Sequence, residues 1–228
     1  MRPHSLSLNE LVVEMEKTVV ILAGGKGLRF QSRDKCLITL NKKLLIQHAI
    51  DNLASVADET IVAARDEQQG ELIRANVPDN IVLVFDSVKG FGPLAGILSG
   101  LERASASYSF LVGCDMPFVN RKVVEFLFEL AARGNYDAVV PRWDNGMVEP
   151  LHAVYKREPM LAAVKAAIKE SAEKLIKLLA RLEKVYYVPM DQIRGIDPDL
   201  KTFLNINTPD ELEKYASPAE MGTSSHAE

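Results

Sequence analysis

Residues 18–35 read TVVILAGGKGLRFQSRDK: a short apolar run, a cluster of glycines, then a basic stretch. The run at 18–22 is apolar almost throughout and rich in β-branched residues, which suits a strand covered on both faces. It ends abruptly at Gly24-Gly25, so it reads as a strand feeding a loop. Glycines let backbone N–H groups approach a ligand and permit positive φ. Lys26, Arg29, Arg33 and Lys35 add charge to the same loop. Glycines without charge would suit a plain turn; glycines with this charge, just past a strand, suit a polyphosphate cradle.

Outward from this loop the pattern alternates. Apolar runs at 59–64 (ETIVAA), 81–85 (IVLVF), 108–113 (YSFLVG) and 136–141 (YDAVVP) read as further strands. Helical spacing appears between them at 45–53, 93–104 and 121–133, and more weakly at 67–75. Strand–helix alternation predicts an α/β fold: a doubly wound, mainly parallel, Rossmann-like sheet with helices on both faces. Beyond Val148 the pattern predicts a strand at 152–155, a helix over 159–182 broken near Ser171, and a strand at 185–188. Thr208-Pro209-Asp210-Glu211 is a helix start, with Thr208 as N-cap, Pro209 in the first position and acids in the first turn. Residues 8–17 carry Leu8, Leu11, Val12 and Met15 at helical spacing, predicting a short N-terminal helix. The expected organisation is an extension at 1–17, one large domain at 18–215 and a disordered tail at 216–228.

The 228 residues are 47% hydrophobic and 25% charged, enough to bury a substantial core. A formal net charge of −4 and a pI near 5.7 argue against broad binding to nucleic acid. Cys36 and Cys114 both lie in apolar surroundings and read as reduced core thiols. The first 17 residues have no long apolar run and carry Glu10, Glu14 and Glu16, unlike a secretory signal. No stretch reaches the apolar length of a membrane span, so the expectation is a cytoplasmic protein with no membrane partner.

Two common phosphate motifs fail against the loop. A P-loop needs Gly-Lys followed by Ser or Thr, and Lys26 precedes Gly27. A dinucleotide fingerprint needs glycine where Phe30 stands, and an acid after the second strand where Ala63, Ala64 and Arg65 lie.

Leu22-Ala23-Gly24-Gly25, followed by Arg29-Phe30 and then Asp34-Lys35, resembles the signature of nucleotidyltransferases related to sugar-phosphate pyrophosphorylases. Within that superfamily the chain most resembles the molybdenum cofactor guanylyltransferases. Three later segments carry the resemblance: Asp86 followed by Gly92-Pro93-Leu94-Ala95-Gly96-Ile97, then Gly113-Cys114-Asp115-Met116-Pro117, then Asn205-Ile206-Asn207-Thr208-Pro209-Asp210-Glu211. The resemblance implies transfer of a nucleotide from GTP to the phosphate of molybdopterin, with release of pyrophosphate. It also implies contact with proteins that make or receive the molybdenum cofactor. Carried over by position, Leu22, Ala23 and Gly24 would contact base and ribose, while Gly25, Arg29 and Lys35 would lie near the phosphates. Asp86 would hold the guanosine part, Asp115 would bind nucleotide and Mg2+, and Asn207 would complete the metal site. Ala63 departs from the pattern where some relatives carry a nucleotide-contacting Asn, and Gln31 and Ser32 stand where glycine is frequent.

The chemistry implied suits these residues. A phosphate monoester acceptor is already ionised near neutral pH, so no general base is needed. Positioning and charge neutralisation remain, for which Lys35, Arg29 and Asp115 with one Mg2+ suffice. Gly92-Pro93-Leu94-Ala95-Gly96 has two readings: helix amides facing an anion on the acceptor side, or close helix–strand packing at Gly96 and Gly100. Lys165, Lys169 and Lys174 read as a solvated face, His48 and His152 as structural, and Trp143 as a loop anchor rather than a pterin-stacking ring. Two other functions fit less well: a nucleotidyltransferase using CTP with a different acceptor, and a non-catalytic nucleotide-binding accessory protein.

Overall fold

The computed structural model describes residues 16–27, 30, 33–171 and 174–217. The chain enters through β1 (Lys17–Leu22) and then forms two small antiparallel ribbons. These pair β2 (Lys26–Gly27) with β3 (Arg33–Asp34), and β4 (Thr39–Leu40) with β5 (Lys43–Leu44). There follow α1 (Leu45–Leu53), β6 (Glu59–Ala64), α2 (Glu67–Arg74), β7 (Val82–Phe85), α3 (Pro93–Arg103) and β8 (Tyr108–Gly113). Then come α4 (Arg121–Gly134), β9 (Ala138–Arg142), β10 (His152–Lys156), α5 (Arg157–Lys169) and α6 (Ile176–Leu179). β11 (Val185–Pro189), α7 (Met190–Arg194) and α8 (Pro209–Tyr215) complete the order.

The main sheet has seven strands in the order β11-β9-β10-β8-β1-β6-β7. β1 lies between β6 and β8, parallel to both, with Val20 facing Ile61 on one side and Leu111 on the other. β10 is the reversed strand, antiparallel to β8 and β9. The reason is local: residues 143–151 return from β9 to β10 without a helix, and only an antiparallel neighbour can be reached that way.

Successive residues of a strand point to opposite faces, and the two cores follow that rule. Val19, Ile21, Phe110 and Val112 pack with Ile46, Leu53, Leu127 and Phe128, from α1 and α4. Val20, Ile61 and Leu111 pack with Ile97, Leu101, Met160 and Val164, from α3 and α5. Gly100 sets how closely α3 approaches, since a Cβ there would lie 2.4 Å from Val20 Cγ1. The chain runs from β1 to β6 and β7 on one side, then crosses to β8 on the other. Such a reversal opens a crevice at the carboxyl ends of the strands.

Helix boundaries follow the sequence signals. Asp66 caps α2, and Thr208 with Glu211 forms a capping box on α8. The expected break near Ser171 falls between α5 and α6, with Ser171 at φ 56. One boundary needs correction. Lys17 belongs to β1 rather than a helix, while residues 8–15 of that expected helix lie outside the described residues. The Ser217 N–H donates to Asn41 Oδ1 (2.6 Å), and of the expected tail at 216–228 residues 218–228 lie outside the described residues. Among the described residues no helix is long and apolar enough to cross a membrane.

Candidate active site

A cavity of about 700 Å³ opens at the carboxyl ends of β1, β6, β7 and β8. Gly24, Gly25, Lys35 and Asp115 are among the lining residues, with Gly24 beside Asp86 and Arg65. The Lys35 ammonium bonds to the Asp115 carboxylate, and it donates to Asn207 Oδ1 at 2.6 Å. Both side chains of the ion pair are mostly covered, at 14% exposure for Lys35 and 23% for Asp115.

Each member of this trio is held by its own backbone. Beyond β8 the Cys114 N–H still donates to Leu22 O (3.1 Å), so Asp115 leaves the sheet in a fixed direction. Its side chain folds back over Gly113, where a Cβ would lie 2.3 Å from Asp115 Oδ1. Gly113 therefore makes room for the carboxylate, a requirement of space that appears only once the side chain is seen. The Ile206 N–H donates to Asp115 O (2.8 Å), bringing the late 205–207 segment to the site. The Asn207 N–H donates to Glu211 Oε2 (2.6 Å), the same oxygen that takes the Thr208 N–H (3.1 Å). The capping box of α8 thus also fixes Asn207.

Asp115 and Asn207 present one carboxylate and one amide oxygen to a cationic nitrogen. Among the described residues no group of three or more His, Cys, Asp or Glu side chains could hold a metal. Two hard oxygens beside a phosphate cavity nevertheless fit Mg2+, which takes one or two protein oxygens and completes its shell with phosphate and water.

Elsewhere in the lining Asp86 lies beside Leu22, Ala63 and Gly96, with Arg65 and Asp66 near enough to act on its charge. The Asp86 N–H donates to Ala64 O (3.0 Å), extending the β6–β7 ladder by one residue. Burial pushes the Asp86 carboxyl up to about 6, against the pull of Arg65. Its buried Oδ1 has no hydrogen-bond partner among the described residues. Gly96 keeps this floor low, since a Cβ there would meet Leu22 Cδ2 at 3.1 Å and Ala63 Cβ at 3.3 Å.

Several expectations change against this geometry. Ala23 is fully buried, its N–H donates to Ala63 O (2.9 Å) and its carbonyl accepts from Gln69 Nε2 (3.0 Å), so it shapes the wall without reaching the cavity. Gly24 and Gly25 do not use positive φ; the left-handed glycines beside the cavity are Gly90 (φ 86) and Gly92 (φ 51). Arg29 lies outside the described residues. In the 92–96 segment the amides of Leu94 and Ala95 already donate to Phe91 and Gly92 carbonyls, so they are not free for an anion. The packing reading holds for Gly96 and Gly100, and Gly92, Pro93 and Gly96 also border the cavity.

Residues read as structural are structural. His48 Nε2 meets Leu40 O at 2.8 Å. His152 is fully buried against Phe110 and Phe203, and burial lowers its pKa to about 3, so it stays neutral. Trp143 anchors its loop through Nε1–H to Glu149 Oε1 (2.7 Å) and packs on Phe203. Lys165 pairs with Glu102 (2.9 Å), and Lys165, Lys169 and Lys174 do not line the cavity. Cys36 and Cys114 are buried free thiols, and their mutual contact together with burial pushes Cys114 well above the usual thiol range. Sequence reasoning missed Gln69, a fully buried amide behind the loop. Its only signal was a Gln three residues past the Asp66 cap.

Residues 19–185 match the family described as MobA-like NTP transferase domain. A protein of Methanosarcina mazei named "Probable molybdenum cofactor guanylyltransferase" is 37% identical over 90% of this chain and 92% of its own length. The crystal structure of molybdopterin-guanine dinucleotide biosynthesis protein A from Archaeoglobus fulgidus superposes with a TM-score of 0.77 at 30% identity, covering 90% of this chain and 99% of that one. The 2-C-methyl-D-erythritol 4-phosphate cytidylyltransferase of Thermus thermophilus shares the fold at a TM-score of 0.63 and 20% identity, over 88% and 97% of the two chains.

Proposed function

The chain belongs to the MobA-like NTP transferase family, and on that premise we propose that it transfers GMP from GTP to the phosphate of molybdopterin. An oxygen of the acceptor phosphate attacks the α-phosphorus of GTP. A phosphoanhydride forms there as the bond to the β-phosphate oxygen breaks, and pyrophosphate leaves. The observation that carries the reading is the Lys35–Asp115–Asn207 contact at the mouth of a cavity large enough for a nucleotide.

The acceptor phosphate supplies its own negative oxygen, so the protein need not remove a proton. What remains is to hold the two phosphates in line and offset their charge. Lys35 brings a cation to the α-phosphate. Asp115 and Asn207 would hold Mg2+, whose bound charge would stabilise the departing pyrophosphate. Gly25 offers backbone without a side chain where the triphosphate passes, and Leu22 and Gly24 border the nucleoside. Asp86 takes the guanosine half: its carboxylate borders the cavity as an acceptor, and guanine offers two adjacent donors at N1–H and the N2 amino group. Cytosine offers one on the equivalent edge, so the same carboxylate favours GTP over CTP. The substrates bring a cytoplasmic setting and hand-over of product to cofactor proteins.

The test is pyrophosphate release with each nucleoside triphosphate, with and without molybdopterin, with Mg2+ present or chelated. GTP with molybdopterin and Mg2+ should give turnover. Turnover with CTP and none with GTP would remove the guanylyl reading, and nucleotide binding without any transfer would favour an accessory protein.

A further inference from the structure

Behind the glycine loop, on the side away from the cavity, one buried amide joins three segments of chain. Gln69 is fully buried in the first turn of α2, where its N–H completes the Asp66 cap at 2.8 Å. Its Oε1 accepts from the Arg65 N–H at 2.7 Å. Its Nε2 donates to Ala23 O at 3.0 Å and to Asp34 Oδ1 at 3.0 Å, and lies 3.7 Å from Cys36 Sγ. Arg65 closes the ring, with NH1 donating to the same Asp34 oxygen at 2.8 Å.

The amide has only one orientation that works. Turned over, its oxygen would face Ala23 O and the Asp34 carboxylate, while its NH2 would face the Arg65 N–H. Each donor and acceptor is therefore matched by a partner of the opposite kind in a buried place, where mismatch is costly.

The partners matter more than the count. Ala23 is the last residue before Gly24-Gly25, and Asp34 is the last before Lys35. The loop between them is pinched at its stems by the β2–β3 ribbon, which pairs Lys26 with Asp34. Gln69 holds both stems from behind, so it sets where the Lys35 side chain begins. We propose that Gln69, working with Asp34 and Arg65, is a positioning residue for nucleotidyl transfer: it fixes the glycine loop so that the Lys35 ammonium meets the reacting phosphate. This rests on the transferase reading and the part given there to Lys35.

The experiment is a double-mutant cycle between Gln69→Leu and Lys35→Ala, read in kcat and KM for pyrophosphate release on protein shown to be folded by circular dichroism. Small displacement of a charged group in a transfer site costs roughly 10- to 100-fold, so Gln69→Leu should lower kcat by that order and raise the KM for GTP less. Residues acting through one group are not additive, so in the Lys35→Ala background the same change should cost under about threefold. A full, multiplicative loss in both backgrounds, or folded Gln69→Leu protein with unchanged kcat, overturns the proposal. If Gln69→Leu does not fold, Asp34→Ala removes the partly buried carboxylate that Gln69 and Arg65 share and should show the same non-additivity with Lys35→Ala. If the wild-type chain itself gives no transfer, the transferase reading has failed. The cycle is then read in the Kd for GTP, where additivity again overturns the latch.

Discussion

The two ends of the cavity are built on opposite terms. At the end proposed for the phosphates the described groups are paired: Lys35 meets Asp115 and Asn207, and behind the loop Arg65 meets Asp34 and Asp66 while Gln69 satisfies both loop stems. At the end proposed for the nucleoside Asp86 keeps one buried oxygen unmatched among the described residues, beside Leu22, Ala63 and Gly96. Transfer needs groups already in place when charge develops, because an enzyme gains little from dipoles that must reorganise first. Recognition of a base can instead leave a group in want of its partner, because the ligand's donor then completes the site and a wrong base does not.

Asp115→Ala should break the phosphate end most severely, lowering turnover by roughly 100- to 1000-fold while the fold persists. Pyrophosphate release alongside a thermal melt checks this, and unchanged turnover would refute the metal and catalytic assignment of Asp115. Lys35→Ala should follow with a loss of about 10- to 100-fold, the worth of one charge-assisted contact to phosphate. Dependence on Mg2+ should survive in that variant, since Asp115 and Asn207 remain.

Asp86→Asn should move function and stability in opposite directions, which neither phosphate-end change predicts. Efficiency with GTP should fall roughly tenfold as the charged acceptor is lost, with the ratio of GTP to CTP falling too. In the wild-type protein kcat/KM for GTP should drop as pH falls through about 6, where Asp86 takes up its proton. The stability sign follows from the same shift. The folded carboxyl binds a proton more readily than the ordinary value of 3.8 allows, so ionisation at neutral pH costs stability. The free protein should gain stability from this group as pH falls from about 6 toward 3.8. Asp86→Asn should accordingly raise the melting temperature at pH 7, and a lowered one would contradict the unmatched carboxylate.

Much of the phosphate end was legible as residues and little of it as geometry. Lys35, Asp115 and Asn207 stand in short motifs whose chemistry can be read from side-chain type and order. That Lys35 spans Asp115 and Asn207 could not be read, because the three come together over separations of 80 and 172 residues. That the Ala23 backbone pairs with Ala63 and Gln69 could not be read for a related reason: motif membership does not say which way a backbone group faces. Gln69 left almost no trace, since a glutamine early in a helix is ordinarily a surface residue. Gly113 was legible as part of a motif, though not as the space into which Asp115 folds.

The glycine loop marks the division. By itself the sequence determined an apolar strand running into a charged, glycine-rich turn and, through the strand–helix alternation outward from it, an α/β sheet. Those features are local, set by side-chain branching, period and the absence of Cβ atoms. Only the tertiary structure decided that the loop is held from behind by Gln69, that Lys35 rests between Asp115 and Asn207, and that Asp86 keeps an unmatched oxygen. Each of these depends on which buried polar atoms find partners across distant segments, and no pattern within a short window of sequence contains that.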